Sequence, residues 1–389
     1  MGRPRVKIWL SVLVSALTLA AWVNSASATS TERGSSVLIF PKVIFDPTAI
    51  LGDYPTDTLI QISNTSNSLV HAHCHYINAA PGRPDLPVSE ENPPQWEEIN
   101  FDIFLTKQQP THWVVGLGRT QDPSDPICAS DPQLNTVTNR DCVNAGFDPG
   151  RIPLTPQPFI GELRCVEVDS SGAPINGNHL KGEATIVRQV PGAVGTRWES
   201  SKYNAIGLHG LNDIYSNNSD FTLCIGGGVR PGCPTGPEYA ACPQRLLLNH
   251  YAVEAEDPII DSLSGDSGPV TTEVTIVPCS QDLERLERTI VTLQFRIINE
   301  FEELYSASTT VDCWRTFSLE DVAFNIFDEA VLGSRFVQTQ ISTPAEQSGI
   351  LGVVEEYHRQ GTLVSTGARD IPFDGERVNG DIMAIPEGR

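Results

Sequence analysis

The chain is short of positive charge. Its 389 residues hold 26 lysines and arginines against 48 aspartates and glutamates, a formal net charge of −22. A surface of that sign repels phosphate backbones and anionic lipid headgroups, which argues against nucleic acid and membrane surfaces as partners. Long apolar runs are also lacking. Beyond the first thirty residues none reaches the ~18 needed for a membrane helix, so no membrane insertion is expected. The nine cysteines contain no CxxC pair, which argues against zinc-ribbon and thioredoxin-type chemistry. Gly226-Gly227-Gly228 is followed by Val229-Arg230-Pro231-Gly232. No helix opens there on a lysine, so the triplet reads as a surface turn rather than a phosphate cradle. The acidic loops lack EF-hand spacing. No cofactor is expected.

What is present begins at the N-terminus. Arg3, Arg5 and Lys7 precede an apolar run from Ile8 to Val23, and Ala26-Ser27-Ala28 supplies small residues. That is the pattern of a secretory signal peptide over residues 1–28, cleaved after Ala28. Thr29, not cysteine, follows the cut, so no lipid anchor is expected and the chain reads as secreted or periplasmic. In such a compartment cysteines pair. The spacing predicts Cys128–Cys142 and Cys233–Cys242 as local loops. Cys279–Cys313 would join the ends of two strand-like runs, Cys165–Cys224 would be a fourth pair, and Cys74 would be left free.

The remainder is punctuated by 31 glycines and 29 prolines, which break it into short β-patterned runs. Examples are Val37 to Phe45, Thr58 to Ser63, Leu69 to Ile77, Gly161 to Val168, Thr271 to Val277 and Ile350 to Tyr357. Thr58–Tyr76 and Thr292–Trp314 share a strand–turn–strand pattern that reads as the central hairpin of a β-sandwich. The expected fold is all-β: two tandem immunoglobulin-like sandwiches with long loop insertions and one short helix. The first domain would span 29–255 with insertions at 79–98 and 119–158. A linker at 256–269, a second domain at 270–360 and an extended or disordered tail at 361–389 would follow. Ser318, Asp321, Val322, Ile326 and Ala330 predict the helix.

Two constellations carry chemistry. His71, His73 and His75 alternate along one strand and so share a face. Neutral imidazoles suit zinc or copper, but side chains two and four residues apart spread over ~13 Å. Two of them plus a ligand from a neighbouring strand would be needed. The plainer alternative is a polar, outward-facing stripe, with Cys74 turned inward. The second constellation is Gly265-Asp266-Ser267-Gly268-Pro269, which resembles the nucleophile motif of chymotrypsin-like serine proteases. Ala72-His73-Cys74 and Phe101-Asp102-Ile103 resemble that family's histidine and aspartate segments. Ser267 would attack, His73 would take its proton and Asp102 would orient the ring. The motif lacks its second glycine, however, and no activation site is present. Trp113 and Trp314 read as core, while Trp96 and Trp198 read as loop tryptophans able to stack on sugars.

Several stretches resemble a group of uncharacterised exported proteins of environmental Gram-negative bacteria: Thr58 to Asn67 with Cys74, Phe104 to Trp113, Gly161 to Cys165, Lys181 to Ala184, Asn299 to Glu302 and Cys313-Trp314. The resemblance implies export and a shared β-sandwich fold, and brings no activity with it. Phe40 to Val70 also looks like the first half of an immunoglobulin-like domain of the pilus-chaperone kind. The reading is a non-catalytic binding or structural module of the cell envelope or extracellular space. Its partner would be a protein or glycan ligand met by the long insertions. The alternatives are a secreted serine hydrolase using His73, Asp102 and Ser267, and a metal-binding protein using the histidine stripe.

Overall fold

A computed structural model describes residues 29–83, 86, 92–119, 150–192, 194–211 and 219–387. The segment expected to be a signal peptide, Cys128, Cys142 and most of the expected 119–158 insertion lie outside these. The described chain is all-β, with twenty-one strands in five sheets.

The first sheet runs in the order Glu97–Leu105 (β4), Val70–Asn78 (β3), Phe159–Val168 (β6), Val37–Phe45 (β1) and Ile206–Leu208 (β9). The second contains Pro110–Val114 (β5), Thr56–Asn64 (β2), Leu180–Pro191 (β7) and Thr196–Asn204 (β8). The third is small: Thr222–Ile225 (β10), Asp381–Ala384 (β21) and Gln281–Asp282 (β13). The fourth runs Leu304–Asp312 (β15), Ile290–Asn299 (β14), Phe336–Ser342 (β17), Pro243–Tyr251 (β11) and Phe373–Glu376 (β20). The fifth runs Arg315–Ser318 (β16), Thr271–Pro278 (β12), Ile350–Gln360 (β18) and Leu363–Asp370 (β19).

Side-chain period explains the layers. Along β2, β7 and β14 buried and accessible residues alternate, the pattern of a strand with one face on a core. β1 and β6 are buried on both faces, because the first sheet is covered twice. One face packs on the second sheet through Phe40, Ile60, Ile62, Tyr76, Trp113 and Ile186. The other packs Ile39, Val166 and Leu208 against Leu223 and Met383 of the third sheet and Leu351 of the fifth. The fourth and fifth sheets enclose a separate interior around Leu248, Ile276, Phe295 and Ile341. β19 also packs alongside β8, where the Arg197 guanidinium donates to the Val364 carbonyl.

The interior therefore falls into three clusters, and the five sheets follow one another in a ring-like arrangement. The all-β expectation holds, and the arrangement is not specifically that of two immunoglobulin-like domains. Residues 363–384, expected as a loose tail, supply β19, β20 and β21 to three different sheets. The expected linker holds helix α1, Pro258–Ser264, with Asp257 as N-cap and Gly265 in the left-handed region at φ 65°. The helix expected after Ser318 is a 3₁₀ turn, Leu319–Asp321, followed by the short helix α2, Glu329–Leu332. β2 and β3 form no hairpin, since they belong to different sheets, whereas β14 and β15 do pair directly.

The cysteine pairing is also corrected. Cys74 is not free. It lies in register opposite Cys165 on β3 and β6 and is bonded to it. The other described bonds are Cys224–Cys233 and Cys242–Cys279. Cys165–Cys224, Cys233–Cys242 and Cys279–Cys313 do not form, and Cys313 is a buried free thiol. Strand register decides the partners, and register brings together residues that spacing along the chain keeps apart.

Candidate functional site

The histidine stripe of β3 is not outward-facing. The side chains of His71, His73 and His75 are 14%, 9% and 0% exposed. Near His75 the face is roofed by Arg164, which donates to the carbonyls of Pro278 and Cys279. Antiparallel pairing places β4 carboxylates beside the imidazoles. His71 Nε2 and His73 Nδ1 lie 2.7 and 2.9 Å from the same Asp102 oxygen, Oδ1. His71 Nδ1 also faces the Asp169 carbonyl at 3.1 Å, so both its nitrogens meet oxygen atoms. Burial opposes the Asp102 charge, but the hydrogen bonds of His71 and His73 hold its carboxyl well below the usual carboxylate range. His75 turns to Glu98 instead, and burial pushes its pKa down against that bond.

The three imidazoles therefore do not converge on one point, because two share Asp102 and the third has its own carboxylate. Among the described residues, the set of three donor atoms within 4.8 Å of one another is Cys242, Cys279 and Asp381. Its two sulfurs are joined as a disulfide.

Half of the protease-like constellation is assembled and half is not. His73 and Asp102 meet, but Ser267 bridges to Gln360 at the far end of β18. The whole of β12 separates Ser267 from Pro278, whose carbonyl meets Arg164 beside His75. At ~3.3 Å per residue that strand spans about 25 Å, so His73 cannot take a proton from Ser267. The buried Ser267 Oγ has no hydrogen-bond partner. Trp113 and Trp314 are core, as expected, and Trp96 is buried as well, while Trp198 is 69% exposed.

The most concentrated charge in the described interior was missed by sequence reasoning. Pro41 cannot donate to the ladder, and the β1–β6 register shifts between Phe40 and Val43. The bulge frees backbone groups that side chains then satisfy. Trp314 Nε1 donates to the Pro41 carbonyl at 2.7 Å, and Tyr203 Oη donates to the Lys42 carbonyl at 2.5 Å. Lys42, 1% exposed, points at Glu273 and lies 2.5 Å from Glu355 Oε2. Arg188 of β7 reaches the same Glu355 oxygen at 2.7 Å and lies over the Tyr357 ring at 5.3 Å. Thr316 and Tyr357 donate to Glu273. Burial alone would raise Glu355, but Lys42 and then Arg188 override it and hold its pKa down to about 2. Lys42 likewise outweighs burial and lowers Glu273. The two cations and two carboxylates balance. They join strands of the first, second and fifth sheets beneath a cavity of about 230 Å³ that Asp46, Tyr54, Tyr357 and Arg359 help to line. The one sequence signal was Lys42 itself, a lone charge inside an otherwise apolar strand.

Among the described residues no helix is long and apolar enough to cross a membrane. No family model and no curated protein matches the chain. Among solved structures, a chain of naturally occurring empty particles of cowpea mosaic virus aligns over 92% of this chain and 98% of its own, at 8% identity and a TM-score of 0.16. The viral chemokine binding protein R17 of rodent gammaherpesvirus Peru aligns over 86% of this chain and 85% of its own, at 9% identity and a TM-score of 0.15. Overlap this weak carries no argument about fold or function, and the chain's role has to be read from its own residues.

Proposed function

We propose that this chain is an exported, disulfide-stabilised binding or structural module, not a catalyst. The supporting observation is that the protease-like residues are not assembled and the buried charges pair with one another. His73 shares Asp102 with His71, Ser267 lies about 25 Å along β12 from that pair, and Lys42 is closed off by Glu273 and Glu355. Three disulfides among the described residues and a charge-balanced lock across three sheets suit a rigid scaffold working in an oxidising compartment. The finer architecture we favour is two sandwich-like sheet pairs held together by the small third sheet. Recognition of a protein or glycan would use the 79–98 and 119–158 insertions. A fluorophosphonate probe tests the non-catalytic reading. Wild type and Ser267→Ala should label alike, at background. Labelling of folded wild type that is lost in Ser267→Ala would overturn it.

A further inference from the structure

One end of the fourth and fifth sheets is built by residues 252–268, 299–304 and 319–336. Backbone and side-chain bonds lock these segments together. Val253 N donates to the Phe327 carbonyl and Glu329 N to the Val253 carbonyl, at 2.8 and 2.9 Å. Asn299 Nδ2 donates to the Leu332 carbonyl, and Ser334 Oγ to Glu300. Asp257 meets His358, which lies edge-on to Tyr251, which in turn lies edge-on to Phe336. These contacts bring the three segments together at one end of the molecule.

It is also unusually apolar. Ile259 is 64% exposed, Leu263 82%, Phe301 69%, Phe324 94%, Val331 43% and Phe336 41%. α1 buries none of its seven residues, and Ile259 and Leu263, four positions apart, lie on one face of it. So short a helix is marginal without packing, and here its caps stand in for a packed face. Patches of this kind on a protein surface mark interaction sites.

The charge around the patch chooses the occupant. Residues 252–268 and 299–304 contain glutamates and aspartates and no lysine or arginine. In 319–336 the single basic residue is Arg335, already held by Glu329 at 3.3 Å. A second copy would bring the same negative rim against this one, and an anionic bilayer would be repelled. We propose that this end docks a basic protein segment whose apolar side chains seat among Ile259, Leu263, Phe301 and Phe324, with its lysines or arginines facing the acidic rim. The proposal rests on the binding-module reading and names the partner's chemistry.

The test uses the full oxidised chain and a dye-labelled amphipathic Lys/Leu helical peptide, read by fluorescence anisotropy. Wild type should bind it, more weakly as salt rises, and should ignore the same peptide with its lysines succinylated. The double variant Leu263→Ser/Phe324→Ser keeps every charge and alters only exposed side chains. It should melt like wild type yet bind at least tenfold more weakly. Equal binding by the variant would overturn the proposal, because charge alone would then hold the peptide. Binding to phosphatidylglycerol vesicles that the variant loses would overturn it in favour of lipid. A dimer in sedimentation that the variant dissolves would overturn it in favour of a second copy. Ser267-dependent labelling would end the non-catalytic reading and leave this surface standing. Failure at the patch alone would leave that reading intact.

Discussion

The Lys42 network and the histidine row are both buried polar clusters, yet they are built on opposite principles. The network draws Lys42, Arg188, Glu273 and Glu355 from three sheets, and its charges balance. The row takes three imidazoles from one strand and its carboxylates from the next, so it ties neighbours that are already paired by backbone bonds. The difference shows what a buried charge can do in an all-β chain. Across sheets it fixes how layers sit on one another. Within a sheet it adds little to geometry but makes the local stability depend on protonation.

The largest expected effect separates the two directly. Lys42→Met keeps most of the buried stem but strands Glu273 and leaves the buried Glu355 carboxylate with Arg188 as its one cation, which should cost about 3 to 5 kcal/mol in urea unfolding. Asp102→Asn, at a carboxylate 42% exposed, should cost distinctly less. A Lys42→Met loss no larger than that of Asp102→Asn would erase the contrast.

Acid is the second probe. Burial holds His75 below its ordinary value in the folded chain, and holds His250, which donates or accepts bonds with Tyr251 and Thr339, down to about 4. The unfolded chain takes up these protons first. Stability is therefore complete above about pH 6.5 and is lost as pH falls toward 4, by about 3 kcal/mol through His250. Glu355 and Glu273, whose folded values are lowered, hold their contribution down to pH 4.5 and lose it below that, Glu355 only as pH falls toward 2. Urea midpoints of wild type, His75→Gln and His250→Gln between pH 7 and 4 check this order. Wild-type midpoints that stay level across that range would contradict it.

The smallest effect sets the scale for both clusters. Lys202 and Glu183 form an exposed pair at 2.6 Å, with side chains 50% and 33% exposed. Glu183→Gln should change stability by less than about 0.5 kcal/mol. A loss comparable to that of Lys42→Met would mean that burial is not what gives the network its weight.

Much of the strand content was legible because it rests on local pattern. β1 falls on the expected Val37 to Phe45, and β12 and β18 lie within a few residues of their expected runs. The inward side of β3, with Val70, Ala72, Cys74 and Tyr76 in the core, followed from alternation alone. α1 could have been found, since Asp257, Pro258 and Gly265 are its cap, first-turn and stop signals. What was not legible depends on register between distant strands. The partner of Cys74 is 91 residues away, and no spacing rule selects it. The same holds for the candidate site. The meeting of His73 with Asp102 was anticipated, but the position of Ser267 and the partners of Lys42 are set by how whole sheets stack.

The bulge at Pro41–Lys42 has a consequence for how the molecule is made. Lys42 must wait for Glu273, 231 residues later, and Arg188 for Glu355, 167 residues later. A chain emerging N-terminus first presents β1 with an ammonium group and no counter-charge until most of the remainder has followed. Closing contacts of such long separation is slow. The early strands thus spend most of synthesis unable to reach their final state.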